Sequence, residues 1–192
     1  MYTFYQSPGS SSMAVHIGLH EVGAPFQTKR IVFAERDKDP PEFRSLNPEG
    51  KVPTLVVDGR PITEVAACLY YLAHTYPDAK LFPFGDVEAS AQVISWMSFV
   101  ASTVHPARRQ GEDHARMIYG IADRRLGHQT WAVGRYSIAD IHLFRLFWRF
   151  GRGLAEGTAG FPNLMRHYEQ MMQRPAVKKT LEIEAAEGYA LP

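Results

Sequence analysis

The sequence predicts two regions of different fold class, an α/β region over residues 1–78 and an all-helical region over residues 87–192. In the first region, short apolar runs alternate with Gly and Pro in the order strand, helix, strand, hairpin, helix. In the second region, apolar residues recur at helical spacing throughout. The segment Leu81–Asp86 (LFPFGD) separates the two regions and is predicted to be a linker.

The first region opens with a strand, a loop and a helix. The aromatic residues of Tyr2–Tyr5 favour a strand, and Ser7-Pro8-Gly9 indicates a turn. Ser10–Ser12 offers candidate N-caps for a helix whose apolar residues share one face and which Gly23 ends. A second, weaker strand is predicted over Phe26–Phe33, because charged residues interrupt its apolar pattern.

A hairpin and a further helix complete this region. Residues 34–47 are predicted to be a loop or a short frayed helix. The pattern then predicts a strand at Thr54–Val57, a two-residue turn at Asp58-Gly59 and a return strand at Arg60–Ile62. Thr63 is predicted to cap a helix that runs to about Tyr76, where Pro77 ends it.

The second region contains several helix signals. Apolar residues at helical spacing predict a helix from Val87 to about Arg109. Ser137-Ile138-Ala139-Asp140 has the pattern of a capping box, which predicts the start of another helix. Phe161-Pro162 and Pro175 each open a further helix, since proline is favoured in the first turn.

Composition excludes several classes of protein. The 192 residues are 45% hydrophobic and 21% charged, with a net charge of +1, so no charge excess indicates nucleic acid or an anionic membrane as a partner. No apolar run approaches the ~18 residues of a membrane span, and the N-terminus lacks the pattern of a signal peptide. We therefore predict a soluble, cytoplasmic protein.

The metal-binding and thiol residue types point to no metal or redox centre. Cys68 is the one cysteine, which excludes an intramolecular disulfide, a CxxC motif and a zinc ribbon. Its neighbours predict a small buried apolar side chain. His16 and His20 have the i, i+4 spacing of a metal-binding pair, but no third ligand is apparent, so no metal site is predicted.

Several segments, in the same order and at the same spacing, resemble the glutathione transferase family. They are Lys51-Val52-Pro53, Thr63-Glu64 with Ala67 and Tyr71-Leu72, Tyr136–Ile141, and Pro162-Asn163-Leu164 with Arg174–Val177. Tyr5–Ile17 and His105 most resemble the bacterial beta class. The resemblance spans the chain and implies a thioredoxin-like N-terminal domain followed by an all-helical C-terminal domain.

The family's reaction needs the thiolate of glutathione, and hydroxyls at the start of the first helix are candidates to stabilise it. A free thiol has a pKa of ~8.5, which a helix N-terminus lowers through its dipole and unpaired N–H groups. Ser10, Ser11 and Ser12 stand at such a start. By the resemblance, Ser11 occupies the place of the beta-class cysteine, which predicts conjugation rather than a mixed disulfide. In the alternatives, the serines only cap the helix, or Tyr5 is the partner of the thiol.

The resemblance also implies a surface for the rest of glutathione. A cis peptide bond within Lys51-Val52-Pro53 would present the backbone of Val52 to the cysteinyl main chain. Glu64 is assigned to the α-amino group and the N–H of Val65 to the γ-glutamyl carboxylate. Val65 lacks the hydroxyl common there, and one hydrogen bond to a charged group is worth ~1.5–3 kcal/mol. Arg36 falls near the place of a contact to the glycine carboxylate.

The helical region contributes further candidates. The resemblance places His105 in the cleft, facing the sulfur as a hydrogen-bond donor or proton shuttle; a lone histidine can also be structural. Ser98, Ser102 and Thr103 lie shortly before it and are expected to reach the ligand from the same face, with the partner subunit of a homodimer involved. Residues 105–152 also hold nine arginines against four acidic residues. They line either an anionic substrate cleft or a solvated helical face, the commoner case.

Together these residues predict a glutathione S-transferase-like enzyme that conjugates glutathione, its co-substrate, to small electrophiles. Two alternatives stay open. One is a non-catalytic binding or interaction protein of the same fold, which the missing cysteine and Val65 favour. The other is a different glutathione-dependent enzyme, such as an isomerase, a dehalogenase or a peroxidase. The fold does not distinguish these activities, whereas a substrate panel does.

Overall fold

Four strands form one mixed sheet in the computed structural model, which describes residues 1–153 and 157–189. The strands are β1 (Tyr2–Gln6), β2 (Phe26–Arg30), β3 (Thr54–Val57) and β4 (Arg60–Thr63), in the spatial order β2-β1-β3-β4. β1 pairs in parallel with β2, and β3 pairs antiparallel with both β1 and β4. The β-branched and apolar residues of β3 are all buried, as expected for a central strand.

Eight α-helices lie in the described residues. They are α1 (Ser12–Glu21), α2 (Pro41–Leu46), α3 (Val65–Thr75), α4 (Val87–Phe99), α5 (Glu112–Leu126), α6 (Ile138–Gly151), α7 (Pro162–Gln173) and α8 (Pro175–Glu187). The parallel pair β1–β2 needs a crossover connection, which α1 supplies. α1 packs against both α3 and α8. Its approach to α3 depends on Gly18, because a Cβ there would lie 2.6 Å from Leu69 Cδ2.

The predicted fold class is confirmed: a thioredoxin-like β/α part precedes an all-helical part. The chain packs as two compact units, one of residues 1–76 with the chain from Pro175 onward, the other of Pro77–Arg174. α8 thus belongs to the first unit although it follows the helices of the second. The helical spacing of apolar residues predicts that α8 is a helix but does not predict which surface it packs against. The predicted domain boundaries, residues 1–78 and 87–192, stay a prediction.

Three local predictions need correction. Thr63 lies in β4, and Glu64 occupies the N-cap position of α3. β2 ends at Arg30, before the predicted limit of Phe33. The predicted helix from Val87 to Arg109 is α4 followed by a π-helical turn over Val100–Val104 and a 3-10 turn over His105–Gln110. Such irregular turns are frequent at functional sites.

The capping box at the start of α6 is confirmed. The Ser137 hydroxyl accepts a hydrogen bond from the N–H of Ala139, and Asp140 accepts one from the N–H of Ser137 at 2.8 Å. Within the described residues, 1–153 and 157–189, no helix is both long and apolar enough to cross a membrane. The same residues contain no group of three or more His, Cys, Asp or Glu side chains arranged to hold a metal ion.

Candidate active site

The loop between β1 and α1 gives three adjacent serines different surroundings. Ser12 is fully buried; its hydroxyl donates to the carbonyl oxygen of Ser7 at 3.1 Å and accepts from the N–H of Ser7 at 3.1 Å. Ser10 is also buried, and its hydroxyl oxygen lies 2.8 Å from the hydroxyl oxygen of Ser12. These bonds close the loop, so Ser10 and Ser12 hold its shape.

Ser11 is half-buried and is directed away from this network. Its hydroxyl donates to the carbonyl oxygen of Val52 at 3.0 Å. It stands at the N-cap position of α1 but makes no side-chain capping bond, because its backbone is helical (φ −58°, ψ −22°) rather than extended. The alternative in which the Ser11 side chain only caps the helix is therefore not supported.

The buried side-chain amide of Asn47 fixes the segment that contains Val52 through hydrogen bonds. Asn47 donates from Nδ2 to the carbonyl oxygen of Lys51 at 2.8 Å and to the hydroxyl of Thr54 at 3.0 Å. The peptide bond between Val52 and Pro53 is cis, as predicted. The Lys51 side chain pairs with Glu49 at the surface. The structure thus brings two predicted elements, Ser11 and Val52, into direct contact.

The start of α3 has an unusual backbone. Glu64, at the N-cap position, has φ +68°, a left-handed conformation that costs about 1–3 kcal/mol outside glycine. Its exposed side chain makes no capping bond to α3, and the helix begins at the buried Val65. The first N–H groups of a helix have no partner within the helix. This helix start can therefore receive an anion.

Tyr5, the other candidate hydroxyl, is engaged elsewhere. Its ring is 1% exposed and stacks on Phe43 at 5.0 Å between centroids. Its hydroxyl donates to Glu42 Oε1 at 3.1 Å, and Lys29 donates to the same oxygen at 2.6 Å. Burial and the hydrogen bond to Glu42 raise the pKa of Tyr5. These contacts favour Ser11 over Tyr5 as the partner of a thiol.

A carboxylate from α8, which no sequence pattern predicted, supports the serine loop. Glu184 is fully buried; Oε2 accepts from the N–H of Gly9 at 2.7 Å, and Oε1 lies 2.9 Å from His16 Nδ1. Gly9 directly precedes the three serines. A glutamate in a helix near the C-terminus ordinarily indicates a solvated face, so the sequence carried no signal for this contact.

Replacing Glu184 with alanine is expected to destabilise the first unit by about 3–5 kcal/mol, because the buried N–H of Gly9 and the ring of His16 lose their acceptor. Urea unfolding followed by circular dichroism measures this change. Glu182→Ala, at an exposed position of the same helix, is the control and should change the free energy of unfolding by about 0.5 kcal/mol or less. Equal unfolding midpoints for the two variants would contradict a supporting role for Glu184.

Apart from Arg36, the remaining candidates lie in the second unit. The Ser102 hydroxyl donates to the carbonyl oxygen of Ser98 at 2.8 Å and lies 3.4 Å from Thr103 Oγ1. Packing around the ring and the positive charges of Arg145 and Arg109 lower the pKa of His105 to about 4, although part of this residue stays exposed. His105 is then neutral at pH 7, which suits a hydrogen-bonding group better than an imidazolium proton donor.

Arg36 contributes its backbone to a 3-10 turn, Arg36–Lys38. Its side chain lies outside the described part of the chain. The predicted contact to a glycine carboxylate therefore stays a prediction, as do the ligand contacts assigned to Ser98, Ser102, Thr103 and His105.

Comparisons with known proteins cover both units. Residues 10–75 match the N-terminal domain of the glutathione S-transferase family, and residues 94–175 match its C-terminal domain. Glutathione S-transferase GST-4.5 of Xanthomonas campestris pv. campestris is 31% identical over 94% of this chain and 97% of its own length.

Solved structures of glutathione S-transferases are also similar to this chain over nearly its whole length. A bacterial beta-class glutathione S-transferase of Sphingomonas chungbukensis has a TM-score of 0.85 and 31% identity, covering 95% of this chain and 98% of its own. A sphingomonad glutathione S-transferase in complex with glutathione has a TM-score of 0.87 and 29% identity, with the same coverage of 95% and 98%.

Proposed function

The chain belongs to the glutathione S-transferase family, and we propose that its first unit binds reduced glutathione and activates the thiol with Ser11. The thiolate attacks an electrophilic carbon of a small substrate. A carbon–sulfur bond forms, the leaving group departs with its bonding electron pair, and the thiol proton passes to solvent. The observation that carries this proposal is the Ser11 hydroxyl, half-buried at the start of α1 and 3.0 Å from the Val52 carbonyl oxygen.

Binding of glutathione changes the bonding of Ser11 in this scheme. The main chain of the cysteinyl residue adds alongside Val52 like an extra strand, so that its N–H donates to the Val52 carbonyl oxygen. The Ser11 hydroxyl, which donates to that oxygen in the free protein, then turns to the sulfur. A hydrogen bond to a charged group is worth ~1.5–3 kcal/mol, which corresponds to a fall of about one to two units in the pKa of the thiol.

The start of α3 receives the γ-glutamyl end of the ligand. Its free backbone N–H groups bind the carboxylate, and the exposed carboxylate of Glu64 binds the α-amino group. Asn47 keeps the segment up to Val52 in register through its bonds to Lys51 and Thr54. Ser10 and Ser12 act on the ligand indirectly, because they fix the loop that carries Ser11.

Substituting Val65 with serine is expected to tighten glutathione binding about tenfold, since a hydroxyl at this helix start adds one charge-assisted hydrogen bond to the carboxylate. Val65→Ala is the matched control, because it also removes the buried isopropyl group but adds no hydroxyl. Isothermal titration calorimetry with reduced glutathione compares the two dissociation constants. Equal affinities would show that the carboxylate does not bind at the start of α3.

We also propose that the protein is a homodimer. Within the second unit, α4 and α5 expose large apolar side chains, of which Ile94 is 45% and Met117 is 54% exposed. Arg125 of α5 donates to Ser95 of α4 at 2.8 Å, which ties the two helices together. Large exposed apolar side chains on two helices joined in this way are typical of a subunit interface.

Sedimentation velocity tests the dimer. The wild type is expected to sediment as a dimer, and Met117→Glu as a monomer, because a charge in the interface loses its hydration. Lys178→Glu, at an exposed position of α8, is the control and should stay dimeric. A monomeric wild-type protein would overturn the proposal.

The activity itself is tested with 1-chloro-2,4-dinitrobenzene, a neutral electrophile from which the thiolate displaces chloride. The expected result is formation of the thioether at a rate that saturates with glutathione and depends on Ser11. Glutathione binding without turnover across a panel of electrophiles would favour the non-catalytic binding protein. Reduced glutathione as co-substrate is in keeping with the predicted cytoplasmic location.

A further inference from the structure

A small apolar cluster joins α2 to the segment that pairs with glutathione in the proposed function. Its buried members come from β1, from the residue after β2, from α2, from the loop before β3 and from β3 itself: they are Tyr5, Ile31, Phe43, Val52 and Val56. The partly buried side chains of Phe33 and Leu46 pack against them. All of these residues belong to the first unit, so the cluster is complete within that unit.

Phe43 is the residue that anchors α2 in this apolar cluster. Of the six residues of α2, all of which the structure describes, Phe43 alone is buried; Leu46 is half-buried and the rest are exposed. A helix of this length is not stable by itself. The ion pair between Glu42 and Lys29 is solvent-exposed, and exposed ion pairs contribute little. The position of α2 therefore depends mainly on the packing of Phe43.

The ring of Phe43 has a defined partner. The side chain is fully buried and stacks on the ring of Tyr5, with the two centroids 5.0 Å apart and an angle of 25° between the ring planes. A stacked aromatic pair contributes about two- to tenfold to an equilibrium constant beyond the burial of its area. Loss of this one ring is therefore expected to have a measurable effect on the position of α2.

Backbone hydrogen bonds continue from Phe43 toward Val52. The N–H of Asn47 donates to the carbonyl oxygen of Phe43 at 2.8 Å, and the N–H of Gly50 donates to the carbonyl oxygen of Asn47 at 2.8 Å. The Asn47 side chain in turn donates to the carbonyl oxygen of Lys51. The chain from Phe43 to Val52 is thus linked by hydrogen bonds, and the side chains at its two ends lie in the same apolar cluster. A shift of Phe43 therefore displaces the backbone of Val52.

We propose that Phe43 is a positioning residue for glutathione, because its ring keeps Val52 where the Val52 carbonyl oxygen accepts from the ligand. This inference rests on the proposed function, which pairs Val52 with the cysteinyl main chain. Phe43 acts through Val52 rather than by contact with the ligand. A protein whose binding segment is in place for only a fraction of the time binds its ligand more weakly by that fraction. Bound glutathione restores the segment, so kcat at saturating glutathione is unaffected.

Phe43→Leu tests this role, because leucine keeps an apolar side chain in the cluster but removes the stacked ring. The variant is expected to raise the Kd and the KM for glutathione about three- to tenfold, as loss of one stacked pair provides, and to change kcat by less than about twofold. Isothermal titration calorimetry measures the Kd. Steady-state kinetics with 1-chloro-2,4-dinitrobenzene measures the KM and kcat.

Phe144→Leu is the matched control. Phe144 is also fully buried and also stacks on a tyrosine, Tyr168, at 5.5 Å and 27°, but it lies in the second unit. Each variant loses one stacked pair, so their thermal midpoints, followed by circular dichroism, should fall by similar amounts. Glutathione binding should weaken in Phe43→Leu alone. Equal glutathione affinities for the two variants would show that the role of Phe43 is only structural.

γ-Glutamylcysteine, which lacks the glycine residue of glutathione, shows which part of the ligand responds. It keeps the cysteinyl N–H that pairs with Val52, so Phe43→Leu should weaken its binding by the same factor as that of glutathione. Weaker binding of glutathione alone would place the effect at the glycine end and overturn the route through Val52. A wild type that binds glutathione no more tightly than Phe43→Leu would overturn this inference and leave the proposed function standing. A wild type that binds neither ligand would overturn both.

Discussion

Replacing Ser11 with alanine is expected to lower kcat/KM for glutathione conjugation by about ten- to hundredfold, because the thiolate would lose the hydrogen bond that the proposed scheme assigns to the Ser11 hydroxyl. The value of kcat/KM for the electrophile should fall, and the pKa of the thiol of bound glutathione should rise. Ser11 is half-buried and makes one side-chain hydrogen bond, to Val52, so the variant should still fold. Steady-state kinetics and a thermal unfolding curve separate loss of activity from loss of structure.

Tyr5→Phe is the matched control for the Ser11 variant. It removes the other candidate hydroxyl and keeps the ring stacked on Phe43. Since that hydroxyl donates to Glu42, kcat/KM should change by less than about threefold, much less than the cost of a lost hydrogen bond to a charge. An inactive Tyr5 variant beside an unchanged Ser11 variant would reassign the activating role to Tyr5.

Asp140→Ala is expected to destabilise the second unit by about 3–5 kcal/mol. The Asp140 side chain is fully buried and accepts hydrogen bonds from the N–H of Ala132 at 2.7 Å and from the N–H and hydroxyl of Ser137 at 2.8 and 3.0 Å. It also lies 3.1 Å from Nε2 of the buried His167. Removing the carboxylate leaves all these donors without an acceptor.

Urea unfolding of Asp140→Ala measures this cost. The control is Asp113→Ala, which removes an exposed carboxylate from the first turn of α5 and should cost only about 0.3–1 kcal/mol. Equal urea midpoints for the two variants would show that the hydrogen bonds of Asp140 at the start of α6 do not stabilise the second unit.

Much of the fold followed from local sequence signals. The turn at Asp58-Gly59, the capping box at Ser137 and the prolines that open α7 and α8 each depend on the chemistry of a few adjacent residues, and the structure confirms them. The limits of β2 and of α4 were less accurate. There the apolar pattern continues while the backbone changes at Arg30 and at Val100.

The site was predictable only in part, since its contacts join distant segments. The sequence places three serines at one helix start, but only the bonds within the loop show that Ser10 and Ser12 are structural and that Ser11 is directed to Val52. The contact of Glu184 with Gly9 spans most of the chain. No local pattern reports which carboxylate of α8 is buried, because that depends on which surface α8 packs against.

Activation of the thiol is tested most directly by the ultraviolet absorbance of the glutathione thiolate, titrated in pH with glutathione mixed with the protein. The predicted result is a thiolate signal whose midpoint lies about one to two units below the ~8.5 of a free thiol, and which Ser11→Ala moves back toward that value. No thiolate signal at millimolar glutathione, or a midpoint equal to that of the free thiol, would contradict activation by Ser11 and favour a binding protein that leaves the thiol protonated.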